Sequence, residues 1–387
     1  MKILLIQDHF RSGGTERQTI LLAKEFSAAG HVVEVISFRP GGALSGTLKP
    51  LVVNFLQPFD TGLNWFAPGL LATVRRSAPD IILCMGRMAN CQAGRLARAL
   101  PSATVVATMR TGKPLPWLYR QGLDSVAHVV ANSRESAALL THTYGVPARK
   151  VSVIHNALLF PSEPDGGQLA GASAPTAASS LRARFGASAD TVVLLCVGMF
   201  RPEKNQAALI HLAAALARRS TATADVAPLP DWQLWLGGEG SERAACIRLA
   251  DTLGIAQQVR FTGLLADPAA AYREADLAVL ASRAESLSNF LIEAQAHGLP
   301  VIAYEAGGVR ECCRPGITGD IVPAGDAEAF IGAWIGWLRD AARRRSVASL
   351  AREFAREAFH PARNAAAYLS LFQSLRASSY SKPVKSA

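Results

Sequence analysis

Residues 2–36 read KILLIQDHFRSGGTERQTILLAKEFSAAGHVVEVI, and their pattern decides the fold. Ile3–Ile6 is a short apolar run of strand length, and Gly13-Gly14 interrupts the chain after it. From Thr15 to Ala28 the apolar residues fall at 20, 21, 22, 23 and 26, a helical pattern. Gly30 ends that segment, and Val32–Ile36 is the next apolar run. Strand, loop, helix, turn, strand is the opening of a parallel doubly wound sheet. The same start argues for a first strand rather than a secretory leader, because no small-residue cleavage site follows it.

Further strands of this first half are expected at 80–84, 104–108, 127–131 and 151–154. The composition then changes. Pro161–Ser180 (PSEPDGGQLAGASAPTAASS) has almost no large apolar residue and reads as a linker or flexible insertion. A second alternation follows, with strands at 191–198, 232–236, 258–262, 276–281 and 299–303. Helices are expected between them at 204–218, 241–253, 267–274 and 288–297, with a loop insertion at 220–230. Residues 360–376 read as a last helix, and those after 377 as a loose tail. The expected division is 1–165, a linker at 166–190, a second domain at 191–359, and a terminal helix and tail at 360–387 able to return to the first domain. In open α/β sheets ligands bind beyond the carboxyl ends of the strands. Chemistry is therefore expected in the βα loops of both halves, with the two sheets facing a central cleft.

The 387 residues fit two domains, and a hydrophobic share of 50% supplies their cores. A charged share of 18% argues against a disordered or coiled-coil chain. The longest apolar run, Thr191–Phe200, has strand length and is far short of the ~18 residues of a membrane helix. The six cysteines, at 84, 91, 196, 246, 312 and 313, include no CxxC pair. That spacing favours a reduced, cytoplasmic setting over a disulfide scaffold or a zinc site, and Cys312 and Cys313 read as packing residues.

Charge is unevenly spread. Residues 1–185 hold 19 Lys+Arg against 10 Asp+Glu, a net +9; residues 186–387 hold 21 against 20, a net +1. A basic half suits an anionic partner such as a phosphorylated lipid carrier, an acidic glycan or the anionic inner face of the cell membrane. It equally suits an Arg-rich solubilising surface. No aromatic-basic motif accompanies it, so nucleic acid is not expected as a partner.

The densest candidate site is Glu285-Ser-Leu-Ser-Asn-Phe-Leu-Ile-Glu293, between an expected strand and a helix that stops at Gly298-Leu-Pro300. Ser288 or Asn289 can cap the helix, whose free N–H groups attract an anion. Glu285 and Glu293 flank that cradle, and a carboxylate accepting two hydrogen bonds suits a vicinal diol. The bland reading is a capped helix with an exposed Glu.

The surrounding run from 236 changes that balance. It carries GxG, V-x-F-x-G, a-D-l-x-v-l-x-S, E-x7-E, G-x-P-V-I-A, G-G-v-x-E, G-x-x-G and a closing g-D, in order. This closely resembles the family 4 glycosyltransferases, of the retaining GT-B type, over most of the chain. The resemblance implies two Rossmann-like domains. It implies that Glu285 contacts the donor sugar, that Glu293 binds the nucleotide ribose, and that Ser286, Leu287, Ser288 and Asn289 meet the sugar and diphosphate. Many members carry Gly-(Phe/Leu)-Pro where Ser286-Leu-Ser stands here.

In Gly198-Met-Phe-Arg201-Pro-Glu-Lys204-Asn205 the resemblance implies an Arg and a Lys on the donor diphosphate, offsetting charge on the leaving group. Lys204 aligns. The usual Arg position is Met199, and Arg201 substitutes from two residues on. Ser12-Gly13-Gly14-Thr-Glu-Arg17 resembles the family's GGxE-R segment, where glycines let a phosphate or acceptor approach the backbone. Many members carry a His near the sugar and acceptor after the strand VVATM; here Arg110 stands in that place as the catalytic-site candidate, toward donor phosphate or an anionic acceptor, with His9 and His128 as other candidates. Asn132-Ser133 and His155-Asn156 match later landmarks and read as structural.

No D-x-D pair occurs in the chain. Together with Arg201 and Lys204, this favours transfer without a metal, and no cofactor is expected. The resemblance implies transfer from a nucleotide-sugar donor to a glycan or lipid-linked acceptor in cell-surface polysaccharide or lipopolysaccharide synthesis. A UDP-sugar is slightly favoured over a GDP-sugar. The alternative is a sugar-nucleotide 2-epimerase of the same architecture, against which E-x7-E with GGTER argues.

Overall fold

The structure is a computed structural model that describes residues 1–11, 13–158, 160, 180–222, 228–265 and 268–380. It divides into two compact units, one of Met1–Leu159 with Phe359–Ala387 and one of Phe160–Ala358.

The first unit runs β1 (Lys2–Gln7), α1 (Gly14–Ala28), β2 (Val32–Ser37), β3 (Val52–Phe55), α2 (Leu70–Ser77), β4 (Ile81–Cys84) and α3 (Arg87–Ala99). It continues through β5 (Thr104–Met109), α4 (Trp117–Gly122), β6 (His128–Ala131), α5 (Arg134–Ala138) and β7 (Val151–Val153). The second runs α6 (Leu181–Phe185), β8 (Val192–Val197), α7 (Gln206–Ala222), β9 (Trp232–Gly237), α8 (Arg243–Thr252), β10 (Val259–Gly263) and α9 (Pro268–Glu274). After these come β11 (Leu277–Leu280), α10 (Asn289–Ala296), β12 (Val301–Tyr304), β13 (Gly319–Val322), α11 (Ala327–Arg339) and α12 (Ala341–Phe359). The final helix α13 (Pro361–Tyr380) returns to the first unit.

Both sheets are parallel. Their orders are β3-β2-β1-β4-β5-β6-β7 and β10-β9-β8-β11-β12-β13. Parallel strands covered on both faces need apolar side chains on both, hence the unbroken runs that made them legible. In β1 alternate residues serve opposite faces. Leu4 and Ile6 pack with Val74, Ala93, Leu96, Tyr119 and Leu123 of α2, α3 and the α4 segment. Ile3 and Leu5 pack with Ile20, Leu22 and Phe26 of α1 and with Tyr368 and Phe372 of α13. Phe26 meets Tyr368 and Phe372 at centroid distances of 6.1 and 5.8 Å. Asn364 Nδ2 donates to the carbonyls of His155 and Asn156, at 3.2 and 3.0 Å.

Two strands escaped the sequence reading. β3 is a four-residue edge strand with three of its side chains exposed, so it lacks a buried run. β13 is equally short and begins with Gly319 and Asp320. Of the stretch read as a linker at 166–190, residues 166–179 lie outside the described residues. Residues 181–185 form α6, whose Arg182 pairs with Asp276 at 2.7 Å. Of the insertion read at 220–230, residues 220–222 instead extend α7 and 223–227 lie outside the described residues; of the tail read after 377, residues 378–380 instead extend α13 and those from 381 lie outside.

Candidate active site

In the second sheet β8 and β11 are neighbours, with later strands added outward on each side. Such a reversal leaves the loops at their carboxyl ends splayed around a crevice. Backbone contacts tie these loops together. The N–H of Arg283 donates to the carbonyl of Glu203 at 2.8 Å. Asn205 adopts a left-handed conformation (φ 53°) and its Nδ2 donates to the carbonyl of Ala281 at 3.1 Å. Asn is among the few residues that tolerate that conformation.

Lys204 ends a single 3₁₀ turn, Pro202–Lys204, and its Nζ reaches Glu285 Oε1 at 2.7 Å and Oε2 at 3.0 Å. Glu285 is 9% exposed, and its side chain would be costly to bury as an anion without this partner. Gly307 fixes the same loop from the other side. Its φ is +55°, and a Cβ there would fall 1.8 Å from the Glu285 carbonyl oxygen. Gly238 does likewise for the loop after β8, since its Cβ would lie 2.1 Å from the Gly198 carbonyl oxygen. Beneath them Cys196 is inert, its thiol pushed up to about 12 by burial.

Ser288 is the N-cap of α10, its hydroxyl accepting from the Leu291 N–H at 3.4 Å. Ser286 and Leu287 are buried and Asn289 is half-buried. Glu293 lies in the second turn of α10, where the hydroxyl of Tyr272 donates to its Oε2 at 2.7 Å. Tyr272 in turn stacks on His297 at 4.8 Å. Arg201 is exposed and bonds to no described residue through its guanidinium. The second unit thus brings Lys204 and Glu285 together beside Ser286–Asn289, while Arg201 stands on the same loop as Lys204 but outside the pair.

In the first unit, Gly13 caps α1 and Gly14 opens it. The room left by the absent Cβ of Gly13 is filled by the chain itself, because a Cβ would lie 2.3 Å from Glu16 Oε2. Burial holds the Glu16 carboxyl above the usual range. Asp8 occupies the start of α3 in the same way, accepting from Met88 N–H at 3.0 Å and Ala89 N–H at 2.7 Å. Burial pushes the Asp8 carboxyl up to about 6, against the opposing pull of those two bonds. Arg110 is half-buried, and its guanidinium donates to Asn156 Oδ1 at 2.5 Å and to the Tyr368 hydroxyl at 3.3 Å. Its position after β5 therefore ties that strand end to the 156 segment and α13.

His9 is buried at the end of β1 with neither ring nitrogen bonded. His128 opens β6, where its Nε2 shares a hydrogen bond with Ser152 Oγ at 2.8 Å. All six cysteines are free, and Cys312 and Cys313 are both buried. Asp8 and Tyr272 were not singled out from sequence, and Gly307 stood there only as the first glycine of G-G-v-x-E. Asp8 had a signal, an acid directly after a buried strand. Tyr272 reaches Glu293 across 21 residues of chain, and no local pattern marks it.

Among the described residues, no group of three or more His, Cys, Asp or Glu side chains could hold a metal ion. No described helix is long and apolar enough to cross a membrane.

The model of "Glycosyltransferase Family 4" matches residues 12–158, and that of "Glycosyl transferases group 1" matches residues 191–340. The D-inositol 3-phosphate glycosyltransferase of Thermomonospora curvata is 34% identical over 226 residues, 56% of this chain and 50% of that protein. The lipopolysaccharide core biosynthesis glycosyltransferase LpsE of Rhizobium meliloti is 33% identical over 182 residues, 46% of this chain and 50% of that one. The chain spans about half the length of these curated relatives. Among solved structures, Anabaena Alr3699/HepE in complex with UDP superposes with a TM-score of 0.75 at 22% identity, covering 97% of this chain and 100% of that one. The lipopolysaccharide outer core galactosyltransferase WaaB superposes with a TM-score of 0.70 at 18% identity, covering 97% and 99%. At such identities the likeness is one of fold.

Proposed function

The chain belongs to the family 4 glycosyltransferases and has the GT-B fold, and on that premise we propose that it is a retaining, metal-independent glycosyltransferase. It moves a sugar from a nucleotide-sugar donor to a hydroxyl of a glycan or lipid-linked acceptor in cell-surface polysaccharide synthesis. The observation that carries this reading is the Lys204–Glu285 pair at the carboxyl ends of β8 and β11, beside the Ser288-capped start of α10.

An ammonium group has three donors. Two of those on Lys204 meet Glu285, which leaves the third for a donor phosphate oxygen. Lys204 then does two things: it holds the Glu285 carboxylate toward the sugar hydroxyls, and it offsets charge growing on the leaving diphosphate. Arg201, exposed on the same loop, supplies a second cation. Glu293, oriented by Tyr272, accepts from the ribose diol. The start of α10 adds backbone N–H groups and the positive end of its dipole.

The reaction is a same-face displacement. The bond from the anomeric carbon to the donor phosphate breaks, and the acceptor oxygen bonds to that carbon from the same side. The acceptor proton passes to the leaving phosphate. In the first unit Arg110, Gly13 and Gly14 lie at the carboxyl end of the sheet, placed for the donor phosphate or the acceptor. The basic first half, and relatives named for inositol phosphate and lipopolysaccharide core, support an acceptor with anionic groups. A lipid-linked acceptor of this kind fits a cytoplasmic enzyme with peripheral contact at the inner face of the cell membrane.

The test begins with nucleotide binding. UDP, the nucleotide of the HepE complex, is expected to raise the melting temperature, with GDP and ADP as comparisons. Donor incubated with and without acceptor then separates the chemistries. Sugar interconversion in donor alone would establish the epimerase and overturn transfer.

A further inference from the structure

The run from Arg87 to Leu123 holds six cations and no acid. Arg110 is bonded inside the first unit, and Arg87, Arg95, Arg98, Lys113 and Arg120 are exposed. Arg87, Arg95, Arg98 and Arg120 form no ion pair with a described residue. A solubilising surface interleaves both signs, because like charges repel and opposite ones offset them. Here one sign stands alone as far as Asp124, the exposed acid that directly follows the run.

The α3 and α4 parts of the run share one face. α3 and α4 meet at Gly94 and Gly122, where a Cβ on Gly94 would lie 2.4 Å from the Gly122 Cα. The groove along this contact is lined by Cys91, Gln92, Arg95, Arg98, Leu118 and Gln121. The α4 segment is sorted by depth. Leu115 and Tyr119 are buried, and the Tyr119 hydroxyl donates to the Thr108 carbonyl at 2.9 Å. Trp117 and Leu118 point the other way and are 62% and 52% exposed. Leu118 therefore shares a groove with Arg95 and Arg98, and Trp117 stands beside it.

An indole and a leucine project at the level of lipid headgroups, while guanidinium groups bond phosphates. We propose that the α3–α4 face docks this protein on a membrane surface containing anionic lipid. The proposal rests on the lipid-linked-acceptor reading above for its purpose, and on the charge and exposure of this face for its physics. A nucleic acid or a soluble acidic glycan would engage the cations without needing Leu118.

Vesicle flotation with the full chain tests it. Vesicles of phosphatidylcholine mixed equally with phosphatidylglycerol should bind the protein at ~0.1 M salt and lose it at ~1 M, where the Debye length falls to ~3 Å. Vesicles of phosphatidylcholine alone should not bind. Arg95→Gln with Arg98→Gln should weaken binding on the order of 30-fold. Trp117→Ser with Leu118→Ser should weaken it roughly tenfold. Arg75→Gln with Arg76→Gln, on the exposed side of α2, should leave it within about twofold. Melting temperature and UDP affinity should stay near wild type in all three, which separates lost docking from lost folding. Equal binding to neutral and anionic vesicles overturns the proposal. So does undiminished binding in either α3–α4 variant, or an equal loss in the α2 variant. A wild-type protein that docks but binds no nucleotide would leave the face standing and sink the transferase reading instead.

Discussion

Lys204 Nζ sits 2.7 Å from Glu285 Oε1 and 3.0 Å from Oε2, so a cation from the loop after β8 and an anion from the loop after β11 share one bidentate contact. The two groups were assigned separate duties from the sequence, diphosphate and sugar. Their contact makes each the other's support. Lys204→Ala should lower kcat/KM on the order of 10²-fold or more through the lost transition-state charge. It should also lower stability by roughly 3 kcal/mol, because a buried carboxylate loses its partner. Steady-state kinetics with thermal unfolding checks both. Near wild-type turnover would sink the assignment.

In the proposed function Glu293 holds the ribose, a part of the donor that does not react, so its contact should be equal in ground and transition states. Glu293→Gln should weaken UDP binding about tenfold while leaving kcat nearly unchanged. Tyr272→Phe removes the hydrogen bond at 2.7 Å that orients the acid, and should reproduce a smaller part of the same loss. Glu285→Gln should instead lower kcat more than it raises KM. Calorimetry with UDP, which lacks the sugar, separates these roles. Wild-type affinity in Glu293→Gln would remove the ribose contact.

In the proposed reaction Lys204 and Arg201 offset the diphosphate charge, the task that a metal held by paired acids performs in other enzymes. Turnover should therefore survive excess EDTA. Activity lost on chelation and restored by Mn²⁺ or Mg²⁺ would show that the phosphate is held in another way.

What the sequence disclosed follows from how each feature is encoded. Strands such as β1 and β8 are covered on both faces, so their residues form unbroken apolar runs that need no partner to be recognised. Ser288 as a cap is equally local, a hydroxyl just before an apolar helix. The edge strand β3 has no such run, and its exposed Val52 and Phe55 look like loop residues. The Lys204–Glu285 contact spans 81 residues and arises only because β8 and β11 are adjacent. The approach of the Glu16 carboxylate to Gly13 is equally hidden. That contact depends on the side chain's direction, which spacing alone leaves open.

Gly307 offers a geometric test of the loop. Gly307→Ala would add a Cβ 1.8 Å from the Glu285 carbonyl oxygen at a φ of +55°, so backbone must shift. Activity should fall at least tenfold and stability by more than the ~1 kcal/mol that a left-handed alanine costs by itself. Gly316→Ala is the control, with φ +79° and no heavy atom within 4 Å of its new Cβ. It should show the conformational cost alone, with activity retained. Equal effects in the two variants would mean that the Glu285 loop tolerates displacement.

Asp8 predicts a pH dependence of stability. Burial raises its carboxyl from 3.8 to about 6 in the folded protein. Between those values the folded state holds a proton that the unfolded state has released. Stability from this group is therefore fully present below about pH 4, and it is lost as pH rises through about 6. The loss is on the order of 2–3 kcal/mol, at 1.36 kcal/mol for each unit. Above pH 6 the ionised carboxylate still accepts from Met88 and Ala89, so the start of α3 stays capped. Asp8→Asn cannot ionise. Its unfolding free energy, measured by urea titration from pH 4 to 7, should lack this downward contribution. The difference between wild type and variant should then change most between pH 4 and 6 and level off above. A difference independent of pH would mean that the two backbone donors outweigh burial and hold Asp8 ionised throughout.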